Sequence, residues 1–250
     1  MNYISLGHAC AIARNLEKLG LRNSSMPFDW SITNFEGVIK AINNNFANFL
    51  DYDLLFQNSQ VLKHYKNTEY NIQFFHDFNK FETLEKQLPI VRAKYDRRIK
   101  RFYEEIQKPT TFIRYISPGN PIDGKSEELI WIEENYDYII STLKSFNPEN
   151  DIIFIANKGI ESSKIKIFNV EIVDKTDTIN RMPLNNNLEL NAFFMNKVDD
   201  KTRKSMIFKR NKARISNFFS NIVRIDSIIR IIKLTLYRCM SREYIHHKQY

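Results

Sequence analysis

Two side chains of this sequence have the types and surroundings for nucleophilic chemistry. Cys10 follows the short apolar run Tyr3-Ile4-Ser5-Leu6 and Gly7-His8-Ala9. It opens a stretch, Ala11 to Gly20, in which Ile12, Leu16 and Leu19 recur at helical spacing and Gly20 is a natural stop. A thiol at the amino end of a helix sits on the positive end of the helix dipole, which favours the thiolate. Burial as a small core residue is the competing role for such a cysteine. His76, in Phe75-His76-Asp77-Phe78, is the best partner for that thiol. Between bulky aromatics at a strand end an imidazole is partly desolvated and held in one orientation, as a general base must be. Its competing role is a backbone hydrogen bond within an aromatic cluster. His8 and His64 are weaker candidates for the base.

A third group should orient the imidazole. Asp77 is its neighbour, but consecutive strand residues point to opposite faces. Asp29, in Pro27-Phe28-Asp29-Trp30, is free of that objection and is preferred. Asn120 and Asp123 lie after the histidine in the chain and stay open. The loop Leu21 to Trp30 is dense in hydrogen-bonding groups, so Arg22, Ser25 and Trp30 are candidate substrate contacts. Arg114, inside the apolar strand 110–116, either pairs with an acid or meets an anionic substrate.

These stretches carry a resemblance. S-L-G-x-x-C, then G-L-R-x-x-S-x-P-F-D-W, and later F-H-D-F are similar to a bacterial family described as papain-like cysteine peptidases of unknown function. The likeness spans roughly the first 160 residues. It implies a cysteine nucleophile acting on an acyl or amide bond, as a peptidase or amidase, or as an acyltransferase, with Cys10 before His76 as in papain-like enzymes. Asp29 departs from papain, where the orienting residue follows the histidine. By analogy with papain-like acetyltransferases of capsule biosynthesis, a role in bacterial surface-polysaccharide biosynthesis is a further expectation. The substrate would then be a small molecule, a peptide or a glycan.

The elements that must position these groups read as follows. Asn34–Leu50 is expected to be a core-facing helix capped by Asn34, and 61–65 with 70–78 a hairpin around 66–69. Residues 81–108 are expected to be helical, with Pro89 kinking or dividing the helix, 110–116 a strand, 127–146 a helix, and Asp151–Asn157 a strand buried on both faces. Lys164 to Val173 adds one or two strands, and 188–198 a short helix or strand. The alternation predicts a layered α/β domain with a mostly parallel central sheet flanked by helices. A papain-like α+β arrangement is the alternative. The domain is expected over 1–175, a linker or peripheral segment over 176–200, and a basic amphipathic helical tail over 201–250.

Charge supports that division. Net charge is +8 over 250 residues, but 201–250 holds 13 Lys and Arg against Asp226 and Glu243, which leaves the first 200 residues at a net of −3. Ile225, Ile228, Ile229, Ile232 and Leu236 share one face of a basic helix over 222–240, a pattern suited to an anionic membrane surface or to docking on the domain. Nucleic acid is not expected, because aromatic residues are not interleaved with the bases. Cys10 and Cys239 are the two cysteines and suggest no disulfide framework, so a reducing compartment is the simpler reading. No signal peptide or spanning run is evident, and a cytoplasmic protein, peripheral at the inner membrane, is expected. Glycine-rich phosphate loops and C-x-x-C or H-E-x-x-H patterns are missing. No metal or cofactor is expected, although coenzyme A would serve an acyltransferase. The second class of function is a non-catalytic binding or scaffold protein of the membrane surface, with Cys10 in the core.

Overall fold

The first strand, β1 (Asn2–Ser5), sends alternate side chains to opposite faces, and each face meets a different hydrophobic core. This is the computed structural model of the chain, described over residues 1–8, 10–57, 63–117, 121–122, 125–170 and 187–197. The chain divides into two compact units, Met1–Val198 and Asp199–Tyr250, and all the described residues lie in the first. The basic tail, the polar stretch 174–186, Asn120 and Asp123 lie outside them.

Beside β1 run β6 (Thr110–Tyr115), β9 (Asp151–Asn157) and β10 (Ile167–Val170), all parallel, in the order β1-β6-β9-β10. Parallel strands require crossover connections; helices lie in those from β1 to β6 and from β6 to β9, while β9 reaches β10 through a loop, and helices cover both faces of the sheet. On one face Ile4, Phe112, Ile152 and Phe154 pack against three elements. These are α2 (Phe35–Asn43), α3 (Leu84–Ile106) and the pair α4 (Glu127–Glu134) and α5 (Tyr136–Lys144). On the other, Tyr3, Ile113, Ile153, Ile155 and Phe168 meet α1 (Cys10–Lys18) and Leu190 and Phe194 of α6 (Leu188–Lys197). The layered α/β architecture with a parallel central sheet is therefore the one found.

Between α1 and α3 the chain builds a second, antiparallel sheet, in the order β2 (Ser31–Thr33), β5 (Ile72–Phe74), β4 (Tyr65–Asn67), β3 (Leu55–Gln57). The hairpin is β4 with β5, but its turn is 68–71 and not the expected 66–69: Lys66 and Asn67 pair with Gln73 and Ile72, and Asn71 adopts the positive φ of 53° that the turn needs. Rings of Phe28, Phe46, Phe49, Phe74, Tyr95 and Phe102 fill the space between this sheet, α2 and α3, mostly edge to face.

Three elements differ from the sequence reading. The helix from Asn34 stops at Asn43, after which Asn45, Phe46 and Asn48 take positive φ. Asparagine tolerates that conformation better than other non-glycine residues, and Phe46 is held there by its ring contacts. The helix over 127–146 is two helices broken at Asn135. Pro89, by contrast, leaves α3 continuous. In α2 the Asn34 side chain accepts from the Gly37 amide, confirming its capping role. Gly37 itself faces the hairpin turn so closely that a Cβ would lie 1.7 Å from the Tyr70 carbonyl oxygen. Because that obstacle is backbone, Gly37→Ala is expected to cost about 3 kcal/mol or more, read as a drop in unfolding free energy by urea denaturation.

Candidate active site

The parallel sheet places Gly7, His8 and Cys10 just beyond the carboxyl end of β1 and Ile116 and Ser117 beyond that of β6. In open α/β sheets this is where sites form. Cys10 is the first residue of α1 and is 3% exposed. Its thiol is thus at the positive end of a nine-residue helix, as the sequence predicts. Arg14, one turn further along the same face, lies with its guanidinium carbon 5.8 Å from the centre of the Trp30 ring, and Arg22 lies 5.4 Å from it. Edge to face with Trp30, at 6.2 Å, is His76. Pairing of β2 with β5 explains this: Ser31 is opposite Phe74, so the residues flanking that pair, Trp30 and Phe75-His76, are carried to the same end of the antiparallel sheet. Trp30 and His76 are therefore carried to the side of α1 that bears Arg14, one turn from Cys10.

His76 is exposed, and its imidazole makes no hydrogen bond with a described residue. Partial burial lowers its pKa, with Arg14 and Lys63 adding to the shift and Asp77 opposing it. A neutral imidazole at neutral pH is the form a base requires. Asp77, in the bend that follows β5, reaches α3, where it pairs with Lys94 and accepts from Tyr95 Oη at 2.9 Å. Asp29 is 1% exposed, and its Oδ2 accepts from Arg22 Nε and from the Met26 amide, both at 2.8 Å. Burial pushes its carboxyl up, while Arg22 and the amide draw it down. The structure thus places Asp29 on Arg22, where it ties the loop, and gives it no hydrogen bond to an imidazole. Arg22 also donates to Ser25 Oγ at 2.7 Å and reaches Glu17, so two of the candidate substrate contacts are engaged with each other.

Arg114 corrects the expectation that it meets a substrate. It is 0% exposed, and all five N–H groups are used. Nε and Nη2 form a two-pronged pair with Glu128 at 2.8 and 2.6 Å, Nη1 donates to the Leu6 carbonyl and Thr33 Oγ1, and Nη2 to the Thr33 carbonyl. Of its two predicted roles it has the pairing with an acid. What it does is lock β1, β2, β6 and α4 together directly behind the cysteine turn.

His8 takes on more than the sequence reading allowed. It lines a cavity of about 400 Å³ with Thr33, Asn34, Glu36, Ser117, Glu128 and Trp131 among its walls. Its carbonyl accepts from the Thr33 amide at 2.9 Å, and its Nδ1 is buried without a hydrogen-bond partner. Burial, with Arg114 adding to the effect, pulls the imidazole down to about 4. In an unfolded chain it titrates near 6.5, so between those values the unfolded state takes up a proton that the folded state refuses. Stability from this group is complete above about pH 6.5 and is lost on acidification, by roughly 3 kcal/mol at pH 4. His8→Gln is expected to flatten that part of the curve of unfolding free energy against pH; an unchanged slope contradicts the assignment. The cavity walls come from five separated segments, so no local motif announced them. His64 has a buried, unpartnered Nε2 and stacks on Phe75 at 3.9 Å.

Residues 1–137 match the family described as "Putative papain-like cysteine peptidase (DUF1796)". The chain belongs to this family. A similar curated protein is "Uncharacterized protein R408" of Acanthamoeba polyphaga mimivirus, 32% identical over 183 residues that cover 64% of this chain and 79% of that protein. The match of this papain-like family member to a viral protein carries the likeness beyond the bacteria in which the family was expected. No solved structure matches. The matched segment contains Cys10, Trp30, His76 and Arg114 and ends within α5. Among the described residues there is no group of three or more His, Cys, Asp or Glu able to hold a metal ion, and no helix long and apolar enough to cross a membrane.

Proposed function

We propose that the protein is a cysteine-nucleophile enzyme acting on an acyl or amide bond. One observation carries the reading: in a chain of this family, Cys10 is the first residue of a helix at the carboxyl end of a parallel strand, with Trp30 and His76 beside that helix. The Cys10 thiolate adds to the acyl carbon after His76 has taken the thiol proton. Amides of the first turn of α1 hold the oxyanion. As it collapses, the bond to the leaving group breaks and His76 returns the proton to it. Water then releases the acyl group in a peptidase or amidase, and a hydroxyl accepts it in an acyltransferase, for which coenzyme A is the natural donor. With both nearby carboxylates, Asp29 and Asp77, bound to cations, the site works as a Cys10–His76 dyad. A glycan acceptor at the inner membrane, approached through the basic tail, is the setting we favour for the transferase.

Incubating the protein with peptide libraries and with acyl-coenzyme A plus glycan acceptors, followed by mass spectrometry, separates the two chemistries. Cleavage or transfer that disappears in Cys10→Ala supports the reading; turnover that persists in the variant overturns it. The burial of Cys10 favours a second reading, a non-catalytic protein whose tail binds anionic membranes. On that reading the thiol is inert, and vesicle co-sedimentation depends on 201–250.

A further inference from the structure

The cavity behind the cysteine turn has a chemistry that the reaction above does not use. Its floor is made where the amino ends of α2 and α4 meet the carboxyl ends of β1 and β6, and Asn71 and Gln73 of the antiparallel sheet form a wall. Among the described residues three carboxylates line it: Glu36, Glu127 and Glu128. Glu128 is neutralised by Arg114. Glu36 and Glu127 are exposed and pair with no described cation. No Lys or Arg is among the described lining residues, and His8 is uncharged at neutral pH because burial holds it near 4. Two uncompensated negative charges thus face a concave space that is otherwise polar, apart from Ile32 and the half-buried indole of Trp131.

The two helix amino ends contribute partial positive charge, which the acids of their first turns offset. An anion would meet both carboxylates, so phosphates and organic acids are disfavoured by charge. The side-chain amides of Asn71 and Gln73 make no hydrogen bond with a described residue, and both line the cavity. Trp131 offers both an apolar face and a cation-attracting π system.

We infer that this cavity, formed by Glu36, Glu127, Asn71, Gln73, His8 and Trp131, binds a small polar molecule through a primary ammonium group. Glu36 and Glu127 receive the ammonium, the two amides take hydroxyl or peptide groups, and Trp131 covers the carbon skeleton. The inference does not depend on Cys10 being a nucleophile. An ammonium of this kind is carried both by amino sugars and by short peptides, and the two sources are separable.

The test is calorimetric titration of the full chain, at neutral pH, with glucosamine, glycyl-glycinamide, N-acetylglucosamine and glutarate. Saturable binding is expected for one or both amines, with dissociation constants on the order of millimolar. N-acetylation should weaken glucosamine at least tenfold, and Glu36→Gln with Glu127→Gln should weaken the amine that binds by a similar factor. Both glutamates are exposed, so the variant is expected to fold, which circular dichroism verifies. Binding of glucosamine alone assigns the cavity to sugars, and binding of the dipeptide amide alone to peptide amino termini; either supports the inference. Equal affinity for N-acetylglucosamine, binding of glutarate, unchanged affinity in the double variant, or no heat with either amine overturns it.

Discussion

Arg114→Leu is expected to destabilise the protein by about 3–5 kcal/mol, the cost of leaving one member of a buried ion pair without the other. Glu128, its side chain 7% exposed, would lose the cation that pairs with it. The loss extends further, because the Leu6 carbonyl and both oxygens of Thr33 also lose their donors. Arg114→Lys keeps the charge but provides a single point of contact in place of a planar fork, so it should recover only part of the loss. Replacing the pair together, Arg114→Leu with Glu128→Leu, should be less damaging than Arg114→Leu alone, since no charge is then stranded. Urea unfolding of the four proteins provides the comparison. A cost below about 1 kcal/mol for Arg114→Leu would mean that the pair does not hold the turn before Cys10.

The second large effect is on turnover. With whichever acyl or peptide substrate the protein accepts, Cys10→Ala and Cys10→Ser should each lower kcat by about a thousandfold or more, because neither alanine nor an unactivated hydroxyl replaces a thiolate. His76→Ala should lower it by about a hundredfold or more and shift the pH dependence as well, since a general base contributes on that scale. Asp29→Asn should act differently. Its carboxylate holds Arg22 and the Met26 amide, so the expected change is in stability and in the packing of Arg22 on Trp30, with no new pH dependence of the rate.

Residues that announce themselves locally were readable from the sequence. Asp151–Asn157 is apolar at successive positions because both its faces are covered, and it is found with the bounds its composition implies. Cys10 opens its helix where the apolar run and the spacing of Ile12 and Leu16 place it. The three-residue strands β2 and β3 carried no comparable signal, since they exist through their partners. The same limit governs the site. An aspartate beside a tryptophan announces that it needs a partner, yet only the fold shows that the partner is Arg22, seven residues earlier, and not an imidazole. Arg114 in an apolar strand called for either an acid or an anionic substrate, and only the return of α4 over β6 shows that Glu128 is its partner. Glu36, Asn71, Gln73 and Trp131 are ordinary surface or capping types in sequence, and only their convergence makes a cavity.

The rate of iodoacetamide alkylation of Cys10 as a function of pH, followed by peptide mass spectrometry so that Cys239 is counted separately, tests the central claim most directly. A thiol activated by a helix amino end and a neighbouring imidazole should react at pH 6 at least about ten times faster than N-acetylcysteine, and His76→Ala should abolish the advantage. A Cys10 that reacts no faster than N-acetylcysteine, or reacts only when the protein is unfolded, would contradict the account and leave it a small residue of the core.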